Sequence, residues 1–213
     1  MNATLRLVGI AGGTGSGKSA LVQALLLRLG GCVLDVDSYY HDLGHMSALE
    51  RDRHNYDEPA AVDADLLVEH LRSLAAGKPV KKPVYSFEDH TRVASEIVTP
   101  ARLMFVEGLF TFWWPAVREL LDLRIFVDAA PDVRLARRLR RDLVERGRSA
   151  DHVIAQYLGT VRPMYELYVE PLRSHADLVV LNDGPISDAA DCVISTLRAQ
   201  RVDRTSAIAA PYA

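Results

Sequence analysis

A short glycine-rich segment near the start of the chain restricts its fold more than any other feature of the sequence. Residues 12–19 read Gly-Gly-Thr-Gly-Ser-Gly-Lys-Ser and match the pattern G-x-x-x-x-G-K-S/T, in which backbone N–H groups surround the phosphates of a nucleotide. Apolar residues between Leu5 and Ile10 precede this loop, and leucines at helical spacing from Leu21 to Leu29 follow it. Strand, loop and helix in this order are what a phosphate-binding loop requires. We therefore predict that the loop binds a nucleoside triphosphate.

Each part of the predicted loop has a chemical role toward ATP and Mg²⁺, the two expected cofactors. The glycines let the backbone turn so that successive N–H groups face an anion. Lys18 would reach the β- and γ-phosphates, and the Ser19 hydroxyl would bind Mg²⁺. The predicted nucleotide-binding residues are Gly12, Gly13, Thr14, Gly15, Ser16, Gly17, Lys18, Ser19 and Ala20.

The composition is that of an ordinary globular protein. The 213 residues are 49% apolar and 25% charged, and we expect them to form a single domain over residues 1–213. A net charge of −3 gives no overall attraction to nucleic acid or to an anionic membrane. No apolar run approaches the ~20 residues of a membrane span. The first predicted strand begins almost at the N-terminus and leaves no room for a signal peptide, so we expect a cytoplasmic protein.

The spacing of apolar segments predicts an α/β fold. Five short apolar segments alternate with helical patterns, at Leu5–Ile10, Cys32–Val36, Leu103–Val106, Leu123–Val127 and Leu178–Leu181. They predict the three-layer fold of P-loop NTPases, with a central five-stranded parallel sheet and helices on both faces.

Four segments lie outside this predicted sheet and its covering helices. Residues 41–62 and 80–98 are expected to extend on the substrate side, and the second segment alternates like an antiparallel pair of strands. Residues 130–173 are expected to form a helical lid. The last helix is expected to end near Arg198, and residues 202–213 to form a frayed tail.

Two acidic residues lie at the ends of predicted strands, where ligands bind in open α/β sheets. Asp37 could accept the proton of an attacking hydroxyl, although a helix cap or turn residue is the alternative. Glu107 could order Mg²⁺ or its waters, although an ordinary strand-end glutamate is the alternative. The chain contains no guanine-reading Asn-Lys-x-Asp and is too short for the extra domains of most motor ATPases. These features favour a kinase.

Residues 134–148 contain seven arginines against Asp142 and Glu145. Such a segment could be a solvent-exposed helix or a nucleic-acid-binding stripe. However, no aromatic residues are interleaved with the arginines, and the rest of the chain is not basic. Beside a phosphate loop, the arginines favour a lid that closes on the transferring phosphoryl group, with only two or three of them taking part. We also expect His90 to contact a base or a sugar.

A series of motifs follows one another along the chain: GGTGSGKS, VDSYYHDL, NYDEP, VDADLL, KPVYSFEDHTR, FVEGLF, DLRIFVDAAPDVRLARRLRRDLVERGR, QYLGTVRPMYELYVEP and HADLVV. In this order and spacing they resemble the uridine kinase (uridine-cytidine kinase) family, relatives of phosphoribulokinase. The resemblance covers roughly residues 6–184, most of the chain.

The resemblance implies roles on the acceptor side. Asp37 matches the catalytic aspartate that faces the nucleoside 5′-hydroxyl, and Asp57 matches the aspartate that holds the ribose hydroxyls. His90 matches the histidine at the edge of the base, Arg138 a ribose-side arginine, and Gln156 a substrate-side glutamine. The aromatic positions around the base are matched by Tyr39, Tyr56, Tyr85 and Phe87.

The resemblance also implies roles on the phosphate side. Arg141 and Arg146 match lid arginines near the phosphates, and Glu107 matches the metal-side glutamate of the family's EG pair. The implied partners are a nucleoside and a nucleoside triphosphate. Because family members are often tetramers, a homo-oligomer is also an open expectation.

One segment departs from the family's pattern on the acceptor side. At the positions of residues 56–63 the family commonly reads F-D-H-P-D-A-F-D. In this chain the histidine and one aspartate are absent, and Val62 replaces an aromatic residue. Residues 110–114 are also bulkier than usual.

The resemblance implies ATP-dependent phosphorylation of the 5′-hydroxyl of uridine or cytidine. One alternative is a kinase for another small alcohol, such as pantothenate, phosphoribulose or nicotinamide riboside.

A second alternative is a nucleotide-binding regulator that no longer turns over. The intact set of Lys18, Ser19, Asp37 and Glu107 argues against it, because a protein without turnover has no need of all four. A nucleic-acid-binding protein would depend on the arginine-rich segment alone.

Overall fold

The computed structural model describes residues 5–208, including their side chains except those of residues 52 and 201–208. The strands are β1 (Arg6–Ala11), β2 (Cys32–Asp35), β3 (Val80–Ser86), β4 (Thr91–Val98), β5 (Leu103–Glu107), β6 (Leu123–Asp128) and β7 (Leu178–Leu181). The helices are α1 (Lys18–Leu29), α2 (Ala48–Arg53), α3 (Ala64–Ala75), α4 (Pro115–Arg118), α5 (Pro131–Glu145), α6 (Ala150–Gln156), α7 (Arg162–Met164) and α8 (Ile186–Ile208). None of the described helices is both long and apolar enough to cross a membrane.

Five strands form one parallel sheet in the order β2-β5-β1-β6-β7, which confirms the predicted central sheet. Glu107 pairs with Ile10 on one side and with Asp35 on the other. The phosphate loop follows β1, the middle strand. The ends of β2 and β5 therefore bring acidic residues to the edge of the sheet from which this loop emerges.

Side chains alternate between the two faces of the sheet, and each face is covered by helices. In β1, Leu7 packs with Leu67 and Leu71 of α3 on one face. Val8, on the opposite face, packs with Leu21 of α1. The helix α8 covers this second face as well, through a further group of buried residues: Ala189, Ala190, Val193, Ile194 and Leu197. The sheet is thus buried on both sides, which is why its strands are continuous apolar runs.

The predicted antiparallel pair is present as a hairpin of β3 and β4, outside the main sheet. Pro83 lies opposite Ser95, and the register shifts between Val84 and Tyr85. The solvent-exposed β4 makes this pair an excursion from the core. Tyr85 and Phe87 of this hairpin contact the ring of Tyr40, which lies just beyond the end of β2.

The chain leaves the sheet after β6 in a helical excursion and returns before β7. Within it, residues 157–161 and 165–169 are π-helical, and residues 170–175 form a 3₁₀ helix. The excursion is therefore helical, but its α-helical geometry is interrupted twice by π-helical turns. Arg173 Nη1 lies 2.7 Å from Asp128 Oδ2, so the beginning and end of the excursion meet at the end of β6.

The C-terminal helix is longer than expected from the sequence. It continues past Arg198 to Ile208, because the polar residues beyond Arg198 include strong helix formers and no glycine or proline. Of the frayed tail expected over residues 202–213, residues 202–208 are helical. Residues 209–213 lie outside the described residues. The helix α4 is short and is limited to Pro115–Arg118.

Candidate active site

The phosphate loop has a backbone conformation that only glycine adopts readily. Gly15 has a φ of 73° and Gly17 a φ of 93°, both in the left-handed region. A Cβ atom at Gly12 would lie 2.3 Å from the carbonyl oxygen of Val127, closer than such atoms approach. The loop runs directly into α1, whose N-cap residue, Gly17, has no side chain to cap the helix. The free N–H groups at this helix end suit an anion.

Lys18, Ser19 and Glu107 meet beside the loop. Lys18 Nζ donates a hydrogen bond to the carbonyl oxygen of Gly13 at 3.1 Å. Burial lowers the pKa of Lys18, although Glu107 and Asp37 act in the opposite direction. The Ser19 hydroxyl donates to Glu107 Oε2 at 3.2 Å, and burial raises the pKa of Glu107. The oxygens of Ser19 and Glu107 are thus close enough to share one ion.

The residues present fit Mg²⁺ bound together with a nucleotide. Within residues 5–208, no group of 3 or more His, Cys, Asp and Glu side chains forms a dedicated metal cluster. Mg²⁺ usually needs none, because it keeps several waters and binds through one or two carboxylates together with phosphate oxygens. Ser19 and Glu107 supply one hydroxyl and one carboxylate of this kind.

Asp37 lies in the 3₁₀ turn Val36–Tyr39 that follows β2. Burial and the carboxylate of Asp35 raise the pKa of Asp37 to about 7, while Lys18 and Arg146 act to lower it. The carboxylate therefore lies within the electrostatic reach of the phosphate loop and of the arginine-rich helix. A carboxylate with a pKa near neutrality can accept a proton during a reaction at physiological pH.

Asp142 is fully buried on α5 and is surrounded by arginines. Its carboxylate oxygens lie 2.9 Å from Arg141 Nη2, 3.6 Å from Arg138 Nε, 3.7 Å from Arg146 Nη1 and 3.6 Å from Arg148 Nη1. Burial lowers the pKa of both Arg138 and Arg146. One carboxylate cannot neutralise so many guanidinium groups, and the remaining positive charge suits a polyphosphate. We call these five residues the Asp142 cluster.

Arg138 connects the Asp142 cluster with the phosphate loop. Its Nη1 donates to Thr14 Oγ1 at 3.3 Å, and its Nη2 donates to Gln156 Oε1 at 2.8 Å. Gln156 Oε1 also accepts from Arg148 Nη1 at 3.2 Å. In this structure Gln156 therefore orients two arginines. Its contact with a substrate stays a prediction.

Asp57 lies in a cleft beside the phosphate loop. It lines the cleft together with Thr14, Leu109, Val161, Tyr165 and Val169. Burial raises the pKa of Asp57, although the charges of Arg138 and Arg148 act to lower it. A part-buried carboxylate between the phosphate loop and two arginines is well placed to accept hydrogen bonds from a polar ligand.

An aromatic cluster next to Asp57 is built from Tyr40, Tyr56, Tyr85, Phe87 and His90. The rings of Tyr56 and His90 are stacked with centroids 4.3 Å apart, and Tyr85 contacts Phe87 edge-on at 5.4 Å. His90 has a φ of 55°, which is rare for a residue other than glycine, so the hairpin turn has an unusual shape at this ring. Arg146 Cζ lies 5.8 Å from the centre of the Phe87 ring. The aromatic cluster therefore meets the Asp142 cluster.

Comparison with known proteins identifies the family of this chain. Residues 7–189 match the model of the phosphoribulokinase / uridine kinase family. A uridine kinase of Alkaliphilus metalliredigens is 43% identical over 195 residues, which cover 90% of this chain and 94% of that relative. A uridine kinase of Chloroflexus aurantiacus is 43% identical over 197 residues, covering 91% and 94%. The chain belongs to the phosphoribulokinase/uridine kinase family.

A solved structure of the phosphoribulokinase/uridine kinase family has the same fold. Phosphoribulokinase from Rhodobacter spheroides superposes with a TM-score of 0.62 at 16% identity, covering 89% of this chain and 75% of that one. At this identity the likeness concerns the fold alone. It confirms the predicted three-layer P-loop architecture.

The structure places one of the expected aromatic residues, Tyr39, in the core. Tyr39 is fully buried, and its hydroxyl lies 2.8 Å from His70 Nδ1 in the core, away from the cleft. Burial raises the pKa of Tyr39. The next residue, Tyr40, contacts Tyr56 and Tyr85 instead, at 5.8 and 5.4 Å between ring centroids. Which of the two adjacent tyrosines joins the aromatic cluster depends on the 3₁₀ turn, and no apolar pattern in the sequence shows that turn.

Two further residues support the phosphate loop and were not predicted. The guanidinium of Arg134 lies 3.8 Å from the centre of the Tyr165 ring, and both side chains pack against Gly13. Asn182 Nδ2 donates to the carbonyl oxygen of Ser16 at 2.7 Å. A polar residue directly after a buried strand was the available signal for Asn182.

Ser16 and Ala20 differ from the other predicted nucleotide-binding residues in where their side chains lie. Ser16 is fully buried, so only its backbone can face a ligand. Ala20 is exposed in the first turn of α1, beyond Ser19.

Proposed function

We propose that this protein transfers the γ-phosphoryl group of ATP to the 5′-hydroxyl of uridine or cytidine. The observation that carries the proposal is the proximity of three groups: Asp37 interacts electrostatically with Lys18 of the phosphate loop, and Tyr40 of the aromatic cluster interacts with both Asp37 and Asp57. This arrangement would supply a phosphate site, a proton acceptor, a sugar site and a base site. The names of the relatives, uridine kinases at 43% identity over most of their length, support the same acceptor.

The residues at the phosphate end would stabilise the charge of the transferring group. Lys18, Arg141 and Arg146 would neutralise the negative charge on the phosphate oxygens, and Arg138 would stay on the ribose side. Ser19 and Glu107 would hold Mg²⁺, which when bound neutralises the charge on the β- and γ-phosphates.

Asp37 would act on the nucleophile. Its carboxylate would accept the proton of the 5′-hydroxyl while the new oxygen–phosphorus bond forms. The bond between the γ-phosphorus and the bridging oxygen breaks, so that ADP leaves with that oxygen and Asp37 holds the proton. Little covalent chemistry is asked of the protein, and most of the rate comes from positioning and charge neutralisation.

Asp57 would select the sugar. A carboxylate can accept hydrogen bonds from two adjacent hydroxyls at once. When one hydroxyl is missing, part of this buried carboxylate is left without a partner, which costs about 1–3 kcal/mol or more. The site should therefore discriminate more strongly against a deoxyribose than against a change in the base. The aromatic cluster would pack against the base, and His90 would contact its edge.

The test compares kcat/KM for uridine, cytidine and 2′-deoxyuridine in the wild type and in Asp57→Ala. We expect uridine and cytidine both to react, and 2′-deoxyuridine to react at least about tenfold less efficiently, the factor that 1.4 kcal/mol supplies. Asp57→Ala should reduce this ratio. Asp65→Ala, which removes an exposed carboxylate on α3, should leave it unchanged.

Two results would contradict the proposal at different levels. If the wild type phosphorylated pantothenate or a sugar phosphate but neither pyrimidine nucleoside, the acceptor would be wrong. If the ratio of uridine to 2′-deoxyuridine were the same in Asp57→Ala as in the wild type, Asp57 would have no place in the sugar site.

A further inference from the structure

A buried lysine lies next to the turn that carries Asp37, and no step of the proposed reaction uses it. Lys82 is on β3, and its side chain is only 11% exposed. Its Nζ lies 2.8 Å from Glu96 Oε1 and 3.7 Å from Asp35 Oδ2. It also donates to Ser38 Oγ at 3.1 Å. A buried ammonium with three polar partners is a specific arrangement, because a buried lysine is costly unless its charge is compensated.

The partners of Lys82 lie on both sides of Asp37 in the sequence. Asp35 ends β2, and Ser38 directly follows Asp37 in the 3₁₀ turn. The Ser38 hydroxyl in turn donates a short hydrogen bond to Asp35 Oδ2. The Lys82 ammonium therefore contacts the chain on both sides of Asp37 and connects it to the hairpin, where Glu96 holds the ammonium from the neighbouring strand.

Arg92 makes a second connection between the hairpin and the same turn. Its Nε donates to the carbonyl oxygen of Tyr40 at 3.0 Å, and its Nη2 donates to the carbonyl oxygen of Tyr39 at 3.2 Å. Nη2 also forms an ion pair with Asp63 at 3.0 Å. Arg92 binds the C-terminal end of the turn, whereas Lys82 binds the part nearest Asp37.

The two carboxylates that contact Lys82 would remain in contact with water without it. The side chains of Asp35 and Glu96 are 39% and 56% exposed, so water can replace the ammonium around both. Replacing Lys82 by methionine keeps an unbranched side chain of similar length in the core. What such a change removes is the ammonium contact between the hairpin and the part of the turn nearest Asp37.

We propose that Lys82 is a positioning residue for phosphoryl transfer, whose ammonium fixes the Asp37 turn against the hairpin that carries Tyr85, Phe87 and His90. This role rests on the proposed function, because it assumes that Asp37 accepts the proton of the acceptor. One hairpin then sets both the aromatic side of the acceptor site and the location of the carboxylate that meets the acceptor's hydroxyl. Lys82 itself contacts neither substrate.

The first test measures kcat and KM with uridine and ATP for Lys82→Met, Lys82→Arg and Lys81→Met. Lys81 is the exposed neighbour on the same strand, so Lys81→Met removes the same charge without the buried contacts. A misplacement of about 1 Å at a reacting group costs roughly a hundredfold in rate. We therefore expect Lys82→Met to lower kcat by about 10- to 100-fold with KM for ATP nearly unchanged. Lys82→Arg should restore most of kcat, and Lys81→Met should match the wild type.

The second test does not depend on the acceptor. Amide hydrogen exchange across residues 35–40, measured by mass spectrometry, should be faster in Lys82→Met than in the wild type and unchanged in Lys81→Met. If the wild type phosphorylated neither uridine nor cytidine, the proposed acceptor would fail while this exchange experiment still decided whether Lys82 fixes the turn.

The combined results allow three ways to refute the positioning role. Unchanged exchange in Lys82→Met would show that the turn does not need the ammonium. Faster exchange with kcat within about twofold of the wild type would show that fixing the turn does not matter for the reaction. A loss of kcat that Lys81→Met shares would trace the effect to the general charge of the hairpin.

Discussion

Replacing Asp142 by asparagine should separate the two roles of the arginine-rich helix, its folding and its action on phosphates. Asp142 is fully buried, and its carboxylate contacts Arg141 at 2.9 Å. Arg138 and Arg148 follow at 3.6 Å each, and Arg146 at 3.7 Å. The asparagine amide keeps the size of the side chain but carries no charge. The arginines would then repel one another without compensation.

The magnitude follows from the burial of this carboxylate. Breaking a buried ion pair by removing one partner costs about 3–5 kcal/mol, because the remaining charge is left unpaired. An amide oxygen can still accept one hydrogen bond, so we expect the lower end, about 3 kcal/mol. In a domain of this size 1 kcal/mol shifts Tm by about 2–4 °C, which gives a decrease of roughly 6–12 °C. Displacing one group that stabilises developing charge lowers kcat by about 100- to 1000-fold.

The assay measures Tm by calorimetry, and kcat by ADP release with uridine, for Asp142→Asn and Glu145→Gln. Glu145 is exposed on the same helix, and its substitution removes the same formal charge. Its effect should stay within about 0.5 kcal/mol, as for most surface substitutions. If Asp142→Asn had the Tm and kcat of the Glu145→Gln control, the arginines would hold their positions without the carboxylate. A lower Tm with an unchanged kcat would show that the Asp142 cluster serves stability alone.

Two further predictions concern the turn after β2. Because the pKa of Asp37 is raised to about 7, the carboxylate is protonated below that pH and cannot accept a proton, so kcat/KM should fall about tenfold per pH unit below about 7. The same raised pKa means that ionisation of Asp37 opposes folding as pH rises from the usual pKa of an aspartate toward 7. Asp37→Asn should therefore raise Tm at pH 8 more than at pH 4. A kcat/KM that did not change with pH would contradict the first statement, and an equal change of Tm at both pH values would contradict the second. Tyr39→Phe removes the hydrogen bond to His70 and should lower the free energy of unfolding by about 1 kcal/mol while KM for uridine is unchanged. A raised KM would return Tyr39 to the base site.

Those parts of the fold and site that depend on local sequence could be predicted. Residues 12–19 require a particular backbone conformation, and the apolar runs around them can only be buried strands of a parallel sheet. In such a sheet the residues that follow the strands meet at one edge. The locations of Asp37 and Glu107 beside Lys18 therefore followed from strand ends alone.

The tertiary structure decided which side chains face one another across elements that are far apart in the sequence. Tyr39 and Tyr40 are chemically alike and adjacent, and only the 3₁₀ turn directs Tyr39 to His70 and Tyr40 to the aromatic cluster. The charges of residues 134–148 indicated a cation-rich helix, but not that Asp142 is buried at its centre. Sequence periodicity reports which face of an element is apolar, whereas ion pairs such as that of Lys82 with Asp35 depend on how separate elements pack.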